Sequence, residues 1–216
     1  MRRTILIALA VAGALAVSGC AARSAASQTA APAAASTGFP ANERALERGL
    51  RTATPASLAS QLAAARLATA RYATSLRAAK ADGYQLITRM IPDMGWHYRN
   101  PTIQGFNPRK PMILVYEHTS RGWQLGALEW VFTQTPATPP LPGATYGSFA
   151  AACHYQDGTF VVARTQELCA RRSPQTGARF SFWHPDLVTL HVWLWYHNPA
   201  GLYSGTNPLI RPFNHG

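Results

Sequence analysis

The sequence predicts an α+β fold, with N-terminal helices packed on a mainly antiparallel β-sheet. Three observations predict it. Residues 42–83 carry apolar groups at helical spacing, the chain from Tyr84 onward carries short apolar runs bounded by turn signals, and the two kinds of segment do not alternate. Helices therefore come first and strands follow, which favours hairpins over parallel crossovers.

The helical segment is marked at both ends. "NERALERGL" opens with Asn42, a good N-cap. In "TPASLASQLAAARLATARYATSLRAAKADG", Thr54 suits a cap, Pro55 the first helical position and Gly83 the end. Leu58, Leu62, Ala65, Thr69, Tyr72, Leu76 and Ala79 follow steps of four and three and form one stripe. Arg66, Arg71, Arg77 and Lys80 mostly lie off it, so the stripe reads as a packing face.

The β-rich segment, residues 84–216, is expected to form one domain with residues 42–83. "YQLITRMI" is a candidate strand. "KPMILVYEH" and "GWQLGALEWVFT" read as a hairpin across "TSRG". Two registers remain open for residues 112–132. A four-residue loop at 119–122 pairs Glu117 with Gln124 and puts Glu117 and Glu129 on opposite faces. A five-residue loop pairs Glu117 with Leu125 and puts both on one face. "TPATPPLPG" cannot join a sheet interior. "HYQDGTFVVAR" suits a second hairpin turning at Asp157-Gly158. "DLVTLHVWLWYH" reads as the longest strand, and it would place His191, Trp193, Trp195 and His197 on one face. Asn-Pro recurs at 100, 107, 198 and 207, where it should start turns.

The N-terminus speaks for location. Arg2 and Arg3 precede an uncharged, mostly apolar run, residues 4–17, shorter than the roughly 20 residues of a spanning helix. Val17, Ser18, Gly19 and Cys20 follow. This stretch resembles the bacterial lipobox, which implies a signal peptide over 1–19, cleavage before Cys20, a diacylglyceryl thioether on its sulfur and an acylated amino group. Multiple acyl chains anchor stably, since each buried methylene contributes about 0.8 kcal/mol. Residues 21–41 are small and lack apolar bulk until Phe39, so they read as a flexible tether. Such a coil reaches about 25 Å. The expected location is the cell envelope: the outer membrane facing the periplasm in a Gram-negative cell, or the outer face of the cell membrane in a Gram-positive one. The absence of aspartate after Cys20 favours outer-membrane sorting by the same resemblance.

About 175 residues remain after the tether, enough for one domain. The chain has 20 Lys+Arg and 9 Asp+Glu; losing Arg2 and Arg3 leaves 18 against 9, a formal charge of +9. Such a charge favours anionic head groups, acidic polysaccharide or an acidic partner. Lipid anchoring argues against nucleic acid. An arginine preference of the genome explains the charge equally. Besides Cys20, Cys153 and Cys169 form an even pair in an oxidising compartment and are expected to form a disulfide, with two buried free thiols as the alternative.

The order "ARLATARYATSLRAAKADGY", "MGWHYRNP", "ILVYEH", "LGALEWV" and "LHVWLWYHNPAGLYSGTNP" resembles a family of secreted and lipid-anchored bacterial proteins. The resemblance spans most of residues 58–210. Residues of about 150–180, with both remaining cysteines, lie outside it. It implies the segmentation above and no activity.

Candidate chemistry rests on few groups. Glu117 and Glu129 sit in the most apolar runs, where an unpartnered carboxylate is costly. Histidines come from "MGWHY" (His97), "YEH" (His118) and the long strand (His191, His197). Histidine with carboxylate is a common divalent-metal set, so His97, Glu117, Glu129 and His191 are the candidate ligands, with zinc the default ion. In an unbroken strand His191 and His197 lie about 20 Å apart, too far for one ion. His191 is therefore the better ligand, and His197 should face water or cap a turn. The rival is a hydrogen-bonded core in which His191 donates to a carboxylate.

Paired-cysteine metal motifs, phosphate-cradling glycine loops and nucleophile elbows are missing from the sequence. Ser148 and Ser181 lack supporting context, and Cys153-His154 is adjacency without a dyad. Acid–base work by Glu117 or Glu129 with His191 is conceivable. Trp193 and Trp195 serve either a core or a platform for sugars or lipid tails, and their exposure separates the two. Three classes remain open: a structural or binding lipoprotein, a divalent-metal-binding lipoprotein, and an envelope hydrolase or carbohydrate- or lipid-binding module.

Overall fold

A computed structural model describes residues 57–214, which lie within one compact unit, Leu50–Gly216. Cys20, the tether, Asn42, Thr54 and Pro55 fall outside the described residues. The architecture is largely β. A six-stranded antiparallel sheet runs in the order β1-β2-β3-β4-β9-β5, and a three-stranded sheet runs β7-β6-β8. The strands are β1 Gln85–Ile91, β2 Gly95–Arg99, β3 Ile113–Thr119, β4 Gly122–Phe132, β5 Gly147–Phe149, β6 Ala152–Tyr155, β7 Phe160–Val162, β8 Phe180–His184 and β9 Leu187–Val192.

The described helices are short. Helix α1 spans Leu58–Thr69, continues as a 3-10 turn over Ala70–Tyr72, and is followed by α2, Leu76–Ala81. Ser57 caps α1 by accepting from the Ser60 N–H, and Ser75 caps α2 by accepting from Ala78. The helix expected to run unbroken to Gly83 thus stops and restarts at Ser75. The apolar stripe survives the break: Ala65, Thr69, Tyr72, Leu76 and Ala79 are buried, and Arg66, Arg71, Arg77 and Lys80 are exposed. The connecting turn is tied to the large sheet. The Tyr116 hydroxyl donates to the Tyr72 carbonyl, and the Leu125 N–H donates to Ala73.

Alternation along the strands separates two faces of the large sheet. Tyr98, Leu114, Leu128 and Val192 align across β2, β3, β4 and β9, and all are buried in the main core. One residue along, Arg99, Ile113, Glu129 and His191 align on the opposite face. The buried ionisable side chains His97, Glu117, Glu129 and His191 belong to that face.

The β3–β4 hairpin combines features of both expected registers. Glu117 pairs with Gln124, as the four-residue 119–122 loop requires, and the ladder continues to Thr119 and Gly122, so that only Ser120 and Arg121 are unpaired. A bulge then intervenes, because Val115 pairs with Ala127 while Tyr116 pairs with Leu125, leaving Gly126 extra. That residue inverts the alternation, so Glu117 and Glu129 return to one face despite that pairing. The Gly126 carbonyl, freed from the ladder, accepts the N–H groups of both Trp195 and Tyr196.

Those two bonds also explain a correction. The run "LHVWLWYH" is not a continuous strand: β9 ends at Val192, and β4, with 11 residues, is the longest strand. Past Val192 the Trp193 N–H bonds Leu202 and the next two bonds go to the bulge, so pairing with β4 stops. His197 is exposed beyond the bend.

All four Asn-Pro pairs start turns of one kind. The side-chain oxygens of Asn100, Asn107, Asn198 and Asn207 accept the N–H groups of Thr102, Arg109, Ala200 and Leu209, each two residues on. The Asp157-Gly158 turn joins β6 to β7, with Gly158 at φ +80°.

Cys153 and Cys169 form a disulfide with Cα atoms 5.6 Å apart and a sequence separation of 16. It ties β6 to the loop before β8. Closing a loop of that size stabilises by about 3 kcal/mol in the chain-entropy model. Replacing both cysteines by alanine is therefore expected to lower the unfolding free energy by about that amount. Urea denaturation of the double variant, without reductant, checks it.

Candidate metal centre

Three side chains from three strands meet on the polar face. His97 (β2), Glu129 (β4) and His191 (β9) each offer a ligand atom, and these atoms all lie within 4.8 Å of one another. Strands β2 and β9 are three steps apart, about 14 Å in a flat sheet. The His97 and His191 rings nevertheless have centroids 5.8 Å apart. The sheet curls toward this face, and inward-leaning side chains close the remaining gap. Twist introduced at the Gly126 bulge is in keeping with that curl.

Glu129 sits between the histidines. Its Oε1 lies 3.3 Å from His191 Nε2 and its Oε2 lies 3.7 Å from His97 Nε2. Ligands about 2.1 Å from a tetrahedral ion lie about 3.4 Å from one another, so each histidine stands near ligand spacing from one carboxylate oxygen, although from a different one. His97 is oriented from behind: its Nδ1 is 2.8 Å from the Thr88 hydroxyl on β1. Nδ1–H donation to Thr88 leaves the Nε2 lone pair facing Glu129, the usual outer-shell arrangement of a ligating histidine. His191 is buried; its Nδ1 has no hydrogen-bond partner, and its Nε2 meets only the Glu129 carboxylate, 3.3 Å away. Leaving such a nitrogen unsatisfied costs about 1–3 kcal/mol.

Charge follows from burial. Loss of solvent pushes the His97 ring down to about 4, against the opposing pull of Glu129. Burial pushes the Glu129 carboxyl upward, but His191 and His97 together outweigh it and hold it below the usual carboxylate range. His97 is thus neutral at neutral pH, as a ligand must be, and Glu129 is kept ionised chiefly by its charge and hydrogen-bond interaction with His191.

Glu117 does not join this group. It lies four residues along β3 from Ile113, the partner of Glu129, about 13 Å in an extended strand. The bulge brings it to the right face at the wrong height. It is 0% exposed and neither oxygen has a hydrogen-bond partner. Burial pushes its carboxyl up to about 8. Gly95 leaves room for it: a Cβ there would stand 2.7 Å from Glu117 Oε1. His118 is exposed and its ring lies against Trp123.

The His97–Glu129–His191 group lines a cavity of about 520 Å³. Ile87, Met94, Val131 and Leu187 make much of its wall apolar. The far wall carries Arg99, His154, Phe182 and His184. Burial pushes the His154 ring down to about 4 and holds the His184 ring below its usual value. Trp193 is buried, with its Nε1 donating to the Ser204 carbonyl, so it belongs to the core. Trp195 donates to the Thr69 hydroxyl, and Arg66 lies over its ring at 4.5 Å.

Comparison with protein-family models, curated proteins and solved structures finds no match to this chain.

Thr88, Arg99 and His184 escaped the sequence reading, and His154 entered it only as a neighbour of Cys153. Thr88 and Arg99 occupy ordinary strand positions and carry no motif. His154 follows a cysteine and His184 precedes a proline, and only the pairing of β6 with β8 brings them together. The one available signal was the excess of histidine over what the long strand and "MGWHY" explain.

Proposed function

We propose that this chain is a lipid-anchored envelope protein whose β-rich domain binds one divalent cation at His97, Glu129 and His191. Zinc suits mixed imidazole and carboxylate ligands. The observation that carries the metal reading is His191: a buried imidazole whose Nδ1 has no hydrogen-bond partner and whose Nε2 lies 3.3 Å from an ionised carboxylate, beside a cavity. The anchor rests on the lipobox resemblance at Cys20, and the packing of the described helices, α1 and α2, on the β-rich segment rests on the bonds from Tyr116 and Leu125 to the turn between them.

Two histidines and one glutamate leave coordination positions open, as in zinc sites that act on a substrate and unlike closed structural sites. A bound ion there supplies Lewis acidity, polarising a carbonyl or lowering the pKa of water. The protein's own residues supply the rest. Thr88 fixes His97, the sheet's curl brings the ligands together, and the apolar wall excludes bulk water. The cavity fits a small molecule with an apolar body and a polar group turned toward the ion. The rival, a core held by hydrogen bonds, draws on the proximity of Glu129 to both histidines. It satisfies His191 Nε2 through Glu129 Oε1, 3.3 Å away, and leaves Nδ1 without a partner.

Elemental analysis of protein purified without chelator is expected to find about one equivalent of zinc or a similar ion per chain. His191→Ala should lose it while the far-ultraviolet spectrum stays native. A metal-free wild type whose His191→Ala variant is merely less stable would favour the core reading. Detergent partitioning and mass spectrometry of the mature N-terminus test the anchor separately, and a mature chain starting elsewhere than a lipidated Cys20 would remove it.

A further inference from the structure

The far wall of the cavity holds a second imidazole pair. His154 Nε2 and His184 Nε2 stand 3.0 Å apart. Their other nitrogens are committed. His154 Nδ1 is 2.8 Å from the Ile87 carbonyl, and His184 Nδ1 is 2.6 Å from the Pro185 carbonyl. A carbonyl oxygen only accepts, so both Nδ1 atoms must carry hydrogen. In two neutral rings both Nε2 atoms are then bare. Two lone pairs face each other at hydrogen-bond distance with no hydrogen between them. Left so, the contact is repulsive, and the structure needs a positive occupant.

Packing fixes this arrangement. The His154 ring stacks on Phe182, with centroids 4.6 Å apart and planes 1° from parallel, and on Phe160 from 5.7 Å. His184 stacks on Phe149 at 5.3 Å. A ring flip that turned either Nε2 away would keep the stack but give up the carbonyl bond of Nδ1. His154 is 1% exposed, while His184 is half-buried and open toward the cavity, which provides an entry path.

We propose that His154 and His184 form a second cation site on the same cavity, chelating a divalent transition metal through their two Nε2 atoms. Nitrogens about 2.1 Å from one ion lie about 3.0 Å apart at the right-angle positions of a tetragonal or octahedral ion, as these do, against about 3.4 Å in a tetrahedral one. Imidazole suits zinc, copper and nickel. Arg99, on the same wall, opposes a cation, so the site is expected to be weaker than the carboxylate-containing one. It shares no ligand with that centre and does not rest on it.

The test is zinc titration of the metal-free mature chain, followed by ring nitrogen resonances of the histidines at pH 7. The metal-free protein should show both rings as Nδ1–H tautomers with unprotonated Nε2. Zinc should move the Nε2 signals of both residues. Calorimetry should show two equivalents for wild type, one for His184→Ala, and one for Glu129→Ala. A single equivalent that His184→Ala abolishes and Glu129→Ala retains would sink the first centre and keep this one. A proton on Nε2 of either ring in the metal-free protein would make the pair a hydrogen bond and overturn the proposal. So would Nε2 signals unmoved by millimolar zinc, or a second equivalent that persists in His184→Ala. The ring measurement is made on wild type, so the answer does not depend on a variant folding.

Discussion

Glu117→Gln is expected to make the protein more stable above pH 8 and to leave it nearly unchanged at pH 5. In the folded chain the Glu117 carboxyl is pushed up to about 8 by burial. In the unfolded chain it titrates near the ordinary value of about 4.3. Between those values the native state holds a proton that the unfolded state has released. Stability from this group is therefore fully present below about pH 4.3 and is lost as pH rises toward 8. Shifts of this size correspond to several kcal/mol, on the order of 5 above pH 8. Glutamine keeps the shape and cannot ionise, so it removes the loss. Urea denaturation of metal-free wild type and variant at pH 5, 7 and 9 reads the difference. Parallel stability curves would mean that Glu117 titrates normally.

Glu129→Ala should have the larger effect on metal. It removes the only carboxylate ligand and the charge that balances the ion, leaving two neutral imidazoles. Loss of an outer-shell partner typically costs 10–100-fold in affinity. Removing a ligand should exceed that, so zinc affinity at this centre is expected to fall by more than about 100-fold. Thr88→Val, which strips the bond to His97 Nδ1, should fall within the 10–100-fold range. Competition against a chromophoric zinc chelator measures both. A Glu129→Ala variant that competes as wild type does would place the ligands elsewhere.

Much of the strand layout was legible because apolar alternation and turn residues are local signals. The hairpin across Ser120-Arg121, the Asp157-Gly158 turn and the four Asn-Pro turns follow from side chains within a few positions of each other. The stripe from Leu58 to Ala79 was legible for the same reason. What was not legible depends on pairing at a distance. "LHVWLWYH" alternates like a strand throughout, but its last residues bond to a bulge carbonyl 70 positions earlier, at Gly126. That bulge is a single glycine in a run whose pattern gives no hint of an extra residue. It decides which face Glu117 takes, so neither expected register described the hairpin alone.

The site divides in the same way. His97, Glu129 and His191 stood out as polar groups in apolar runs, and the curled sheet brings them within reach of one another. Glu117 stood out by the same criterion and lies too far along β3. Chemistry selects candidates, whereas height along a strand is set by register and is silent in composition. His154 and His184 lie in segments of ordinary hydrophobicity, and their relation exists only through the β6–β8 ladder.

Anomalous diffraction from crystals grown with zinc tests the metal centre most directly. The account predicts a peak between β2, β4 and β9, about 2.0–2.2 Å from His97 Nε2, His191 Nε2 and one Glu129 oxygen. Zinc-soaked crystals with no peak among those three side chains, and with His191 paired to Glu129 by a hydrogen bond, would contradict it.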